Sequence, residues 1–141
     1  MIMIIVLFLF LHLLGDAGAS KTQSVFQEPP FIIMRAGESL VSGIKCSHTI
    51  SGYDLIYWYK QDESRTFKFL GYLNVLFATP EDDVKGKINF DGDGRSHSSL
   101  NISGLFLNDS GVYFCAASSH SFQCDTGSEA YFGPGTKLTV L

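Results

Sequence analysis

Asn108-Asp109-Ser110-Gly111-Val112-Tyr113-Phe114-Cys115 decides the fold, because it reads as a tight turn leading straight into a strand. Asn, Asp and Ser favour turns through short side chains that bond nearby backbone, and Gly through its freedom at positive φ. β-Branched and aromatic residues follow, and successive side chains of a strand leave opposite faces. Tyr113 and Cys115 therefore enter one core, while Val112 and Phe114 face the other way. From there the phenol oxygen of Tyr113 can reach backbone near its own turn, as in the tyrosine corner of β-sandwiches. Asp109, at that turn, is placed to pair with Lys87 at the bottom edge.

Other segments show the same period of two. Leu40, Ser42, Ile44 and Cys46 share a face, with Val41, Gly43 and Lys45 on the other; Ile56 and Trp58 alternate with Tyr57, Tyr59 and Gln61. Phe67–Tyr72, Lys87–Phe90 and Thr136–Leu141 add short strand-like runs, and Leu100 and Ile102 face inward with Asn101 outward. Turn formers such as Asp91-Gly92-Asp93-Gly94 separate them. Strands recurring about every ten residues predict an all-β sandwich or barrel with Trp58, Leu100 and Tyr113 in its core. Pro29 and Pro30 stand in the first strand region, where a missing amide donor is tolerable at a sheet edge.

The 141 residues are 45% hydrophobic and 17% charged, with a formal net charge of −4. That composition excludes disorder and, with no Lys/Arg cluster, argues against a nucleic-acid partner. Met1–Leu14 is almost unbrokenly apolar and is followed by Ala17-Gly18-Ala19, the pattern of a secretory signal peptide ending at residue 19. Removing 19 of the 141 residues would leave 122, enough for one domain. An oxidising compartment makes a disulfide the default state of Cys46 and Cys115, which are 69 residues apart. Closing such a loop is worth about 4 kcal/mol in the chain-entropy account. Trp58, 12 residues after Cys46, suits a ring packed against that bridge. Cys124 is left unpaired in the Ser-, Gly- and Asp-rich stretch from Ala116 to Ala130.

Cys46, Trp58-Tyr59-Lys60-Gln61, Asp109–Cys115 and Phe132-Gly133-Pro134-Gly135-Thr136 together resemble the landmarks of an antigen-receptor variable domain, over essentially all of residues 20–141. Within that family the chain looks most like a T-cell receptor beta chain. The alternative is an immunoglobulin light chain beside a heavy chain; that family usually has Gln at position 60 and Lys-Pro after Gln61, where this chain has Asp62-Glu63.

The resemblance implies a V-type immunoglobulin-like sandwich with Greek-key connections, two antiparallel sheets and one disulfide. A joining segment would span about residues 131–141, spliced in life to constant and membrane-spanning regions that this sequence does not include. Signalling subunits would be met only through those regions. The location implied is the secretory pathway and then the extracellular side of the plasma membrane. The function implied is recognition of peptide-MHC together with an alpha chain. Three loops would carry it, roughly Ser47–Leu55, Gly71–Ala78 and Ala116–Tyr131, with His48, Thr49, Tyr53, Asp54, Leu73, Asn74, Ser119, His120, Phe122 and Gln123 as contact residues. Serines and Gln123 around the Phe122 anchor suit adaptable polar recognition.

Tyr57, Tyr59, Gln61, Phe114 and Phe132 are expected to face away from the core, a costly surface for a lone domain in water and one suited to a buried contact. The resemblance makes the alpha-chain variable domain its partner, with Gln61 hydrogen bonding across the interface. Gly133 and Gly135 would permit a bulge that lays Phe132 on this contact. Asn101-Ile102-Ser103 and Asn108-Asp109-Ser110 match the glycosylation pattern, and Asn101 is expected to face solvent. His12, His48, His97 and His120 are scattered, the acidic runs lack the later ligands of a calcium loop, and no serine sits in a nucleophile elbow. Neither an enzyme nor a cofactor is implied.

Overall fold

The computed structural model describes residues 24–119 and 129–141. The predicted leader and His120, Phe122, Gln123 and Cys124 lie outside them.

The smaller sheet contains β1 (Val25–Glu28), β3 (Leu40–His48), β7 (Ile88–Asp93) and β8 (His97–Ile102), in the order β1-β3-β8-β7. The larger contains β2 (Phe31–Met34), β4 (Leu55–Gln61), β5 (Phe67–Asn74), β6 (Phe77–Pro80), β9 (Gly111–Ser118), β10 (Tyr131–Phe132) and β11 (Thr136–Val140). Its order is β2-β11-β9-β4-β5-β6, with β10 also paired to β9. The sheets are antiparallel as expected except where β2 runs parallel to β11, with Phe31 opposite Lys137. Pro29 and Pro30 lie where the chain passes from β1 in one sheet to β2 in the other. Neither residue has an amide proton to lose from a ladder at that crossing.

The core lies between the sheets, where Trp58, Leu100 and Tyr113 are fully buried beside the Cys46–Cys115 disulfide. Burying large aromatic and aliphatic side chains drives this packing at ~25 cal/mol per Å² of apolar surface. The Trp58 indole N–H donates to Ser98 Oγ at 3.0 Å, which satisfies the one polar group of the ring. The Tyr113 hydroxyl donates to the Asp109 carbonyl at 2.6 Å, and the Lys87 ammonium lies 2.9 Å from Asp109 Oδ2.

Leu100 and Ile102 face the core and Asn101 faces out, yet Asn101 does not stand free in solvent. Its Oδ1 accepts from the Ser42 amide at 2.7 Å, and its Nδ2 donates to Asp91 Oδ2 at 2.9 Å. The pairing of β3 with β8 shifts register between Leu40 and Ile44, and Ser42 sits at φ 52°. The amide of Asn101 thus fills a bonding position opened by an irregularity that periodicity alone does not show. Asn108 is exposed in the 3-10 turn Leu107–Asp109.

Candidate functional site

Backbone hydrogen bonds tie the loops together at one end of the sandwich. The Asp54 amide donates to Ser118 O at 3.1 Å, the Val75 amide to Asp54 O at 2.9 Å, and the Gly94 amide to Val75 O at 2.7 Å. These bonds join the 49–54 loop, the β5–β6 hairpin tip, the β7–β8 turn and the end of β9. Gly94 is required at this crossing, since a Cβ there would strike Asp54 O and come 2.7 Å from Leu73 O. The Tyr53 hydroxyl reaches across to donate to Glu129 O at 2.5 Å, and its ring centroid lies 6.0 Å from that of Tyr131.

Of the predicted contact residues, Thr49 is exposed, while Tyr53, Asp54, Asn74 and Ser119 are partly buried. His48 and Leu73 are corrections to the expected contact surface, being only 2% and 1% exposed. β3 continues through His48, and the imidazole turns into the sandwich. Leu73 lies opposite Ile56, so it shares the inward face of that core residue. The expected loop from Gly71 to Ala78 is a hairpin whose tip is Val75-Leu76. Leu76 and Phe77, inside that span but not among the expected contact residues, are 64% and 76% exposed beside the tip. Two adjacent large apolar residues after a turn-forming Asn are the signal that marked them.

The outer face of the larger sheet carries a second apolar cluster, separate from the core, of Tyr59, Phe67, Ala116, Ala130 and Phe132, with Tyr57, Phe69 and Phe114 packed on it. The rings of Tyr59 and Phe132 are 6.0 Å apart, those of Tyr59 and Phe69 5.2 Å, and those of Phe67 and Phe114 5.7 Å. The expectation of a bare aromatic surface is corrected here, since Tyr59 is 4% and Phe132 7% exposed. β10 pairs Phe132 with Ala116, which stands opposite Tyr57 on β4, and the Phe132 ring reaches Tyr59 beyond it, so the rings shelter one another. Tyr57, Gln61, Phe69 and Phe114 remain partly exposed around them. Burial raises the Tyr59 phenol well above its ordinary value, and the nearby Tyr57 adds to the effect.

Gly133 and Gly135 stand where a side chain has little room. A Cβ on Gly133 would meet Gln27 Oε1 at 2.5 Å and Cys115 Sγ at 3.1 Å. Gly135 has φ +95°, and a Cβ there would come 2.7 Å from the Phe114 ring. Gln27 is buried, although no local sequence pattern marks it. Its Nε2 donates to Tyr113 O at 2.5 Å and Thr136 Oγ1 at 3.1 Å, while its Oε1 accepts from the Gly135 amide at 3.1 Å and the Cys115 amide at 3.4 Å. One amide side chain thereby holds the last strand segment against the disulfide strand.

Among the described residues, no group of three His, Cys, Asp or Glu side chains is placed to hold a metal, and no helix is long and apolar enough to cross a membrane.

Residues 37–141 match the immunoglobulin V-set domain model. The human T cell receptor beta variable 3-1 is 33% identical, over 73% of this chain and 87% of its own length. The mouse T-cell receptor beta chain V region 86T1 is 31% identical, over 96% of this chain and 97% of its own. Among solved structures, a chain from "Structural basis of T cell specificity and activation by the bacterial superantigen toxic shock syndrome toxin-1" superposes with a TM-score of 0.74 at 30% identity. The match covers 84% of this chain and 99% of that one. Fold, disulfide and relatives agree: this chain belongs to the T-cell receptor beta variable regions of the immunoglobulin V-set family, which are receptors and not enzymes.

Proposed function

We propose that the chain recognises peptide-MHC as the beta variable domain of a T-cell receptor, paired through the outer face of its larger sheet with an alpha variable domain. The observation that carries this reading is the second aromatic cluster, separate from the core and rimmed by the partly exposed Tyr57, Gln61, Phe69 and Phe114. A partly exposed aromatic patch with polar groups from Tyr57 and Gln61 at its edge has the anatomy of a protein interface. A human T cell receptor alpha variable 3 domain is 28% identical over 90% of its own length, so a domain of this same frame supplies a pseudo-symmetric partner. Across such a contact, Gln61 meets its counterpart amide. The bonded loops at one end, with Thr49, Leu76 and Phe77 exposed, form the ligand-facing surface. In this role the mature chain passes through the secretory pathway to the outer side of the plasma membrane, after loss of residues 1–19. Asn101 and Asn108 are its candidate glycan sites, of which Asn108 has the freer side chain.

Sedimentation of the chain mixed with a native alpha variable domain tests the pairing. A one-to-one complex is expected. Equal or tighter association with an immunoglobulin heavy-chain variable domain would overturn the assignment. Staining of cells that bear the paired receptor with peptide-MHC multimers then tests recognition.

A further inference from the structure

His48 is buried at the end of β3, and both of its ring nitrogens are engaged by backbone groups whose roles are fixed. The Ile50 amide lies 3.0 Å from Nδ1, and an amide N–H can only donate. The Gly94 carbonyl lies 2.9 Å from Nε2, and a carbonyl can only accept. The imidazole must therefore carry its proton on Nε2 and leave Nδ1 bare.

We propose that His48 is a proton-sensitive latch, which in its neutral Nε2–H form fastens the first recognition loop to the β7–β8 turn and releases that loop when Nδ1 is protonated. A proton on Nδ1 sets N–H against the N–H of Ile50, leaving a buried donor without an acceptor. The latch holds both ends of one assembly. Gly94 donates to Val75 O, Val75 donates to Asp54 O, and Asp54 donates to Ser118 O, so the imidazole is fastened to a turn that is bonded through Val75 and Asp54 to the end of β9. Charged and titratable neighbours come from each packed element. Tyr53, in the loop, presents its ring to the imidazole at 6.3 Å. Asp54 ends that loop, the Asp93–Arg95 ion pair brackets Gly94 in the turn, and His97 lies opposite Ser47 on β8. On β1, His48 faces the apolar Val25. Arg95 and Asp93 neutralise each other, so the turn presents no bare carboxylate to hold an imidazolium in place of the lost bond.

The latch is a property of the folded loops and does not depend on the ligand, so its failure would leave the proposed receptor role standing. Imidazole 15N shifts of the labelled chain at about pH 7.5 should report the Nε2–H tautomer. Amide exchange, corrected for its intrinsic pH dependence, should show Ile50 losing roughly tenfold protection between about pH 7.5 and 5.5, as for the loss of one hydrogen bond. Core amides such as that of Leu100 should keep theirs. His48→Gln retains one acceptor and one donor but cannot titrate, so its Ile50 protection should be flat across this range. An Nδ1–H tautomer in the wild-type chain would overturn the proposal without recourse to any variant. So would an unchanged Ile50 protection, or a His48→Gln chain that still loosens on acidification.

Discussion

Lys87 Nζ and Asp109 Oδ2 lie 2.9 Å apart, linking the start of β7 to the turn before β9 with both side chains largely shielded from water. Asp109 Oδ2 also accepts from the Phe106 amide at 2.7 Å, and Lys87 Nζ donates to Gly104 O at 2.6 Å and sits 4.0 Å above the Phe106 ring. The carboxylate thus serves a charge and a backbone donor together. Replacing Asp109 with Ala strands both and should cost about 2–3 kcal/mol. Asp109→Asn keeps an acceptor for Phe106 but not the charge, so about half that loss is expected. Urea unfolding of the two variants beside Lys87→Ala checks the ordering, and equal losses for Ala and Asn would show that the charge alone matters.

Alkaline pH should expose the two buried phenols. Burial raises Tyr59 and Tyr113 far above the ordinary value of 10.0, Tyr59 with a further push from Tyr57 and Tyr113 with one from Asp109. In the unfolded chain both ionise near 10, whereas in the folded chain they stay protonated. Their contribution to stability is therefore intact below about pH 10 and lost as pH rises above it, at ~1.4 kcal/mol per pH unit for each phenol. Phenolate absorbance should show two of the six tyrosines titrating only as the fold is lost. Tyr113→Phe should flatten the slope by one group while costing about 1 kcal/mol near neutrality through loss of its bond to Asp109 O.

The features legible in the sequence are those fixed by local spacing. Tyr113 and Cys115 two apart, Trp58 set to meet the bridge, and Asp109 within reach of Lys87 all follow from strand period and turn chemistry. Spacing does not place His48 and Leu73 in the core because they sit at strand ends, where one more residue of pairing turns a loop position into a core position. Gln27 was invisible for another reason. Its partners, Tyr113, Cys115, Gly135 and Thr136, are more than eighty residues away, and only the change of sheet between β1 and β2 brings them to it. Mutual shelter of Tyr59 and Phe132 likewise depends on β10 returning beside β9.

Gln27→Leu keeps much of the volume and deletes every one of those bonds. Tyr113 O and the Cys115 and Gly135 amides would lose a partner in a site that water cannot readily enter. A loss of about 2–4 kcal/mol is expected, well above that of an ordinary polar-to-apolar change. Gln27→Glu should also destabilise, because a carboxylate has no proton with which to serve Tyr113 O. Thermal unfolding of both variants, with faster exchange at the Gly135 amide, is the check. Retention of wild-type stability by Gln27→Leu would mean that these groups find other partners.

The outer aromatic cluster allows folding and pairing to be separated by mutation. Tyr59 is buried against Phe69 and Phe132 within the lone domain, so Tyr59→Ala should destabilise the isolated chain by about 3 kcal/mol before any partner is added. Gln61 is partly exposed at the rim, and its side-chain bond to Arg65 O is long at 3.5 Å. Gln61→Ala should therefore leave the chain's own stability within about 0.5 kcal/mol of wild type. If Gln61 hydrogen bonds across to the alpha domain, the same substitution should weaken pairing roughly tenfold. Sedimentation with the alpha domain, run beside urea unfolding of each chain alone, separates the two effects. Pairing unchanged in Gln61→Ala would remove Gln61 from the interface, whereas weakened pairing with intact stability is a result that damage to the fold cannot produce.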